Sequence, residues 1–569
     1  MKKIWMLVLS IVLMLSLAPM NQAEAATYND VPVHHRFYDD IAYLYEKGVV
    51  GTSSKYGVDT PITRESAAIM ISKALGLDGK LTSTPFKDVP ASSPASGYIN
   101  SAVKAGVISG YPDGTYRPKG IVNRGEMAIF IARAFNLKTE STKSFKDLSP
   151  SMKAYPYIKR IIHANITVGN TDGTYRPNET ITKGQLSAFL TRAMVMKETG
   201  NKQAKVHFLN VGQGDAILIQ SGNGKNMLID GGTKAQGAKV VSFLKSKGVT
   251  KLDAVVASHP DADHIGGLIS VLNNFTVTKF YDSGKVHTSD TYYELLQLID
   301  TKNIAFEVPK VGQKLPFDNV LGVQVLHADS KASDTNDASL VLKAKYGKVS
   351  FLLTGDADVA IENAMLPKYD LKSTYLKAGH HGSNTSSSAG FINAVYPVGT
   401  ILSYGKDNSY GHPHKEVVSR LTTAKSKIYS TAVSGDVTVT TNGQAHSVSA
   451  KAWTPPTTTP TPPTTPPTGT TGKLQIVKKD LSTEIVSIKN VGTTDVAMAG
   501  WRLVSVQGNQ TFTFPTYTLK AGANVHVTSG PNAKAGGNFL KWTTANMWLN
   551  SGDPAKLYDS KGAFIHEVK

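Results

Sequence analysis

The sequence contains no cysteine. Disulfides, thiolate zinc sites and a cysteine nucleophile are excluded by that fact alone. Long apolar runs are nearly absent too: beyond the N-terminus, no stretch is long and apolar enough to cross a bilayer. The mature chain is therefore expected to have no integral membrane segment and no means of carrying a polymer through a membrane by itself. Acidic residues are few beside basic ones, 43 Asp and Glu against 61 Lys and Arg, for a formal net charge of +18. Such a balance suits polyanionic surroundings, either nucleic acid or wall polymers. The lysines are spread through every segment, so charge does not separate a nucleic-acid footprint from a basic exported protein lying in an anionic wall. Aromatic residues make up 8% of the chain, and no basic stripe interleaved with aromatics marks a single-strand track. At 569 residues, several domains are expected.

The N-terminus reads as a secretion signal over residues 1–25. Lys2 and Lys3 precede the apolar Ile4 to Ala18, and Ala23-Glu24-Ala25 forms a small-x-small cleavage site, so the mature chain is expected to begin at Ala26, outside the membrane.

Repetition follows. Asn29-Asp30-Val31, Phe86-Lys87-Asp88-Val89 and Phe145-Lys146-Asp147-Leu148 recur at a period of roughly 60 residues. A helical pattern comes after each: Ile41 to Tyr45, Ile99 to Val103 and Ile158 to Ile162. A glycine turn is next, with Gly110 to Pro118 matching Gly169 to Pro177. A second helix then opens at Thr63-Arg64, Asn123-Arg124 and Thr182-Lys183, where Thr63, Asn123 and Thr182 are suited to cap it. These features resemble three S-layer homology modules, 26–84, 85–143 and 144–198. The resemblance implies attachment to secondary cell-wall polysaccharide of a bacterium, with Arg64, Arg124 and Lys183 at the sugar. The third module departs by having Lys183 for arginine, which lacks the planar fork. The first lacks the glycine-aspartate turn, having Gly51 to Gly57 instead.

The chemistry concentrates in Ser258-His259-Pro260-Asp261-Ala262-Asp263-His264-Ile265-Gly266-Gly267. An apolar run, Leu252 to Ala257, predicts a buried strand before it, and Ile265 to Leu272 predicts a helix after it. A strand ending in two imidazoles and two carboxylates delivers N and O ligands to one point, a set suited to zinc, manganese or iron rather than calcium. Strands at Val206–Val211, Ala216–Ile219 and Met227–Ile229, with a helix from Ala238 to Gly248, indicate an α/β layered fold over residues 205–453.

Asn210 to Ala216, Asp230-Gly231-Gly232, His259 to Gly267, Leu352 to Asp356, Leu376 to Ser383 and Tyr410 to His414 together resemble the metallo-β-lactamase superfamily. The subgroup is the hydrolase domain of the ComEC-type competence proteins. This implies an αββα sandwich with two divalent metal ions, zinc or manganese. His259 and Asp261 would take the first ion, Asp263 and His264 the second, and Asp356 would bridge. His380 is expected as the last ligand, with His381 as second choice or as a proton-donating group. The histidine usual before the bridging aspartate is missing, leaving Asn336, Asp337 or Ser339 in its region; His327 reads as a strand end. Asp263 is expected to orient the nucleophile, and Lys377, His381 or His412 to hold phosphate or assist the leaving group. Asp215 reads as pocket floor and Asp230 as a turn residue. The subgroup implies a nuclease acting on DNA. A hydrolase of small esters, lactams or phosphodiesters shares the ligand set, and a non-catalytic surface adhesion or DNA-binding protein is the remaining alternative.

Residues 454–472 are almost entirely proline, threonine and glycine and read as an extended spacer. From Lys473 short alternating strands predict an all-β sandwich. Glu484 to Asn490, Gly500-Trp501, Phe514-Pro515 and Trp548 to Asp553 resemble a lamin-tail domain over 473–569, which implies an immunoglobulin-like fold.

Overall fold

The computed structural model describes residues 28–455, 474–480, 483–505, 510–544, 547, 554–560 and 563–568. The predicted leader, nearly all of the spacer and the Trp548–Asp553 motif lie outside these residues. The chain divides into two compact units, one ending at Pro455 and one beginning at Pro456.

In the first unit each repeat supplies two helices, Tyr38–Glu46 and Arg64–Ala74, Ser96–Lys104 and Arg124–Ala134, and Tyr155–His163 and Lys183–Thr199. Packing runs between modules, Arg64–Ala74 against Ser96–Lys104, Arg124–Ala134 against Tyr155–His163 and Lys183–Thr199 against Tyr38–Glu46. Thr63, Asn123 and Thr182 each cap the second helix by accepting from a backbone N–H, and Glu126 and Gln185 reciprocate to close capping boxes. The recurring aspartates tie the start of each module to its turn. Asp88 accepts from the backbone N–H groups of Tyr116 and Arg117, Asp147 from those of Tyr175 and Arg176, and Asp30 from those of Tyr56 and Gly57. Arg117 and Arg176 take positive φ there (58° and 60°); the first module puts Gly57 at that place, where φ is 75° without steric cost. The divergent first turn therefore keeps the same closure.

The three modules join in a ring. Ile62 N–H donates to Ile181 O, Ile181 N–H to Val122 O and Val122 N–H to Ile62 O, at 3.0 to 3.1 Å. One cation crosses each seam: Arg64 Nε donates to Tyr116 O (2.9 Å), Arg124 Nε to Tyr175 O (2.8 Å) and Lys183 Nζ to Tyr56 O (2.9 Å). Each also lies over the ring of that tyrosine.

Within the same unit follows a sandwich. Among the described residues, eight strands form one sheet, running from His446–Val448 through Val437–Thr441, Ala204–Phe208, Ile217–Gln220, Asn226–Ile229, Ala254–Ala257 and Lys279–Asp282 to Ala305–Glu307. Seven form the other, from Lys427–Ser430 through Gly399–Leu402, Tyr375–Lys377, Val349–Leu353, Val341–Tyr346 and Leu321–His327 to Lys314–Leu315. Val206, Ile219 and Val256 of the first meet Val323, Leu342 and Phe351 of the second in a shared apolar core. The first sheet's outer face packs Leu218 and Val255 against helical Val240, Leu268 and Leu295. The second packs Leu352 and Leu376 against helical Met365 and Phe391. Both sheets are thus covered by helices on their outer faces, the expected αββα order. The helix after Ala257 comes in two pieces, Ala262–Ile265 and Leu268–Asn274. Helix Tyr38–Glu46 of the first module meets lysines on and beside the second sheet: Asp40 pairs with Lys348 at 2.7 Å, Asp39 with Lys372 at 2.5 Å, and Glu46 with Lys345.

The C-terminal unit is a β-sandwich. Leu474–Asp480, Ile485–Asn490, Asn524–Thr528 and Phe539–Lys541 form one sheet, and Gln510–Thr513, Arg502–Ser505, Ala555–Tyr558 and Phe564–Val568 another. Their inner faces supply Ile476, Val486, Leu503, Val525 and Leu557, with Trp501 packed against this core.

Candidate metal centre

The cluster sits where strand ends from both sheets converge. Strand Ala254–Ala257 delivers Ser258 and His259, strand Val349–Leu353 delivers Asp356, and strand Tyr375–Lys377 leads into His380 and His381. The Gly212-Gln213-Gly214-Asp215 turn closes the floor. Gly214 has φ 124°, and a Cβ there would stand 2.2 Å from Asp263 O, so only glycine lets this turn reach the cluster.

Three imidazoles are oriented alike. His264 Nδ1–H donates to Asp230 Oδ2 at 2.9 Å. His381 Nδ1–H donates to Ser403 O at 3.0 Å. His259 Nδ1 lies 3.0 Å from Ser258 Oγ. The Nε2 atoms of all three are buried with no hydrogen-bond partner, as are Asp356 Oδ1 and Asp215 Oδ1. Buried polar atoms are rarely left unmatched. Imidazoles pinned at one nitrogen and bare at the other, facing carboxylates, are what a metal ion requires. Asp215, His264, Asp356 and His381 offer ligand atoms within 4.8 Å of one another. The residues present therefore fit a divalent cation.

Around Asp356 Oδ2, His264 Nε2 and His381 Nε2 each lie at 3.3 Å, and Asp263 Oδ2 lies 3.4 Å from His381 Nε2. His259 Nε2 is 3.7 Å from Asp261 Oδ2, and the rings of His259 and His264 are 4.1 Å apart. His380 stands further out: its Nε2 is 3.9 Å from Asp356 Oδ2, its side chain is part-exposed and its Nδ1 contacts Thr385. His380 and His381 both take left-handed backbone (φ 45° and 55°), a sparsely populated region for such residues. That conformation turns His381 into the cluster and leaves His380 at its edge.

The carboxylates and imidazoles hold each other's charge. Burial pushes the Asp263 carboxyl up, and the facing imidazoles of His381 and His264 outweigh it, leaving Asp263 below the usual carboxylate range. Asp356 is likewise held well below that range, against its burial, by His381 and His264. His381 is raised to about 9, because Asp356 and Asp263 overcome its desolvation.

Lys377, expected near the leaving group, instead has a side chain only 1% exposed, with Nζ 2.6 Å from Asp215 Oδ2 and 3.8 Å from Asp356 Oδ1. Its ammonium also donates to Gly355 O at 3.2 Å, within the buried cluster. Ser339 is the one of the three candidates for the missing histidine's region that reaches the cluster: its hydroxyl accepts from Asp356 N–H at 3.1 Å and lies 3.5 Å from His259 Nδ1. His327 Nδ1–H donates to Ser339 O. His414 Nδ1 accepts from Asn384 N–H, a loop-bracing contact. The sequence contains no local signal for the Lys377–Asp215 pair, whose members are far apart in the chain; Asp230 is conspicuous as the acid of an Asp-Gly-Gly turn, but its grip on His264 is a tertiary contact.

Residues 209–406 match the metallo-beta-lactamase superfamily, 27–68, 85–128 and 144–187 each match the S-layer homology domain, and 467–569 match the Lamin Tail Domain. The chain thus carries S-layer homology repeats, a metallo-beta-lactamase domain and a lamin tail domain. Competence protein ComA of Neisseria gonorrhoeae is 34% identical over 236 residues, covering 41% of this chain and 32% of that protein. ComE operon protein 3 of Bacillus subtilis is 30% identical over 240 residues, covering 39% of this chain and 31% of its own. S-layer protein EA1 of Bacillus anthracis is 28% identical over 309 residues, 52% of this chain and 33% of that protein. The chain therefore spans about a third of the length of these relatives. The S-layer homology domains, which bind cell-wall polysaccharide, point to a wall-anchored protein of the bacterial cell surface. No described helix is long and apolar enough to cross a membrane.

Proposed function

We propose that this chain is a secreted, wall-anchored, metal-dependent phosphodiesterase that cleaves DNA outside the cell. The observation that carries the reading is the set of three buried Nε2 atoms without partners, those of His264 and His381 turned toward Asp356 and that of His259 toward Asp261. DNA as substrate is supported by the resemblance to the ComEC-type competence subgroup and by a relative named for competence. His259 and Asp261 would hold one cation, Asp263, His264 and His381 a second, and Asp356 both; zinc and manganese suit this carboxylate-rich set. Divalent cations in such a site supply Lewis acidity toward water and phosphoryl oxygen.

The chain's own residues do the rest. Asp263, ionised and part-exposed, accepts a hydrogen bond from the attacking water and aims it. His380, part-exposed with Nε2 3.9 Å from Asp356 Oδ2, would donate to the leaving oxygen. Lys377 and Asp230 are positioning residues that hold Asp215, Asp356 and His264 in place. Arg64, Arg124 and Lys183 mark the seams that would receive the wall polysaccharide.

The test is a substrate panel on the full chain: single- and double-stranded DNA, a small phosphodiester, an ester and a lactam, each with manganese, zinc or chelator. Metal-dependent turnover of DNA is expected; turnover confined to the ester or lactam would overturn the reading.

A further inference from the structure

Beside the metal cluster stands an aromatic side chain that the cleavage chemistry leaves unused. Tyr410 is 64% exposed, yet it is held. Its ring stacks on His412 with centroids 5.5 Å apart and planes 22° apart. One side chain braces the loop beneath it: Asn408 Nδ2 donates to Gly405 O and His412 O, and Asn408 Oδ1 accepts from Tyr410 N–H and His412 N–H. His412 in turn lies 5.7 Å from His380 and 6.3 Å from His381, ring to ring. A large ring is therefore fixed near the rim of the cluster, with most of its surface open to solvent. Exposed Lys406 and Lys415 flank it in the chain.

Resting on the phosphodiesterase reading, we propose that Tyr410 is a stacking platform for a nucleobase, placed so that single-stranded nucleic acid is the preferred substrate. A base stacked on aromatic carbon contributes binding without sequence preference, since every base offers a π-face. Inside a duplex both faces of a base are already covered, so the platform engages only strands that are single or frayed. The braced loop means little ordering entropy is lost when the base arrives.

The experiment uses the full chain with manganese and an Asp263→Asn background, so that binding is read without cleavage. Fluorescence anisotropy measures Kd for a labelled single strand of about ten nucleotides, its abasic counterpart and a duplex. Tyr410→Ala is expected to weaken binding of the base-bearing strand about tenfold, with Tyr410→Phe restoring it. The abasic strand is expected to bind equally well with and without the Tyr410→Ala change. Undiminished affinity of Tyr410→Ala for the base-bearing strand overturns the platform. So does an equal loss on the abasic strand, which would show the ring reading sugar instead. Cleavage of DNA by the otherwise unaltered chain is scored in parallel: cleavage with an inert Tyr410→Ala sinks only the platform, whereas the absence of both binding and cleavage sinks both readings.

Discussion

His381 Nε2 and Asp356 Oδ2 face each other at 3.3 Å, both buried, whereas His380 meets the same oxygen at 3.9 Å from a part-exposed position. On the proposed reading the metal ligand is therefore His381. His381→Ala is expected to lose one bound metal and at least about a hundredfold in kcat, while His380→Ala keeps its metal and loses rate only. Metal content by elemental analysis, measured beside kcat, checks this. Metal loss in His380→Ala with retention in His381→Ala would reverse the assignment.

Asp230 grips His264 from behind through Nδ1. Partners of this kind typically set metal affinity by about ten- to a hundredfold. Asp230→Asn should weaken metal binding on that scale in a competition titration against a chromophoric chelator, with little change in kcat at saturating metal. Unchanged affinity would mean that Asp230 serves only the turn.

The Lys377–Asp215 pair is buried on both sides. Removing one partner strands a charge, a defect that costs about 3–5 kcal/mol. Lys377→Met should therefore lower the stability of the hydrolase domain in urea by that order, and adding Asp215→Leu should recover part of the loss. A double variant no more stable than the single one would contradict the pairing argument.

His207 lies on strand Ala204–Phe208, away from the metal cluster, with Nδ1 and Nε2 bonded to Thr438 and Gln220. Burial lowers its pKa to about 4 from an ordinary value of 6.5. Between these values the unfolded chain binds more protons than the folded one, so stability from this group is full above about 6.5 and falls as pH drops toward about 4. Denaturation midpoints across that window should show a shallower slope in His207→Gln than in the unaltered chain. Parallel curves would remove His207 from the acid response.

Much of this architecture is visible in the chain before folding. The caps Thr63, Asn123 and Thr182 announce their helices because capping is local chemistry. The strand Val349–Leu353 announces Asp356 for the same reason: an apolar run must end where a polar cluster begins. What sequence cannot show is which of two adjacent histidines turns inward. That depends on consecutive left-handed residues at 380 and 381 and on a carbonyl from Ser403, on a different strand's end. Lys377 misled for a related reason. Lysine beside a motif suggests phosphate, but its partner Asp215 comes from a distant turn that only the closed sandwich brings near. Arg64, Arg124 and Lys183 likewise look like free cations in the sequence, whereas each is engaged by a neighbouring module's tyrosine.

Metal-dependent DNA cleavage is decided most directly by nicking of circular DNA, single-stranded and duplex, by the full chain beside Asp263→Asn, with manganese content matched between the two. Manganese-dependent nicking is expected, abolished by chelator, with a fall of at least about a hundredfold in the variant. Equal rates in the two proteins, or no nicking by the unaltered chain with metal bound, would contradict it.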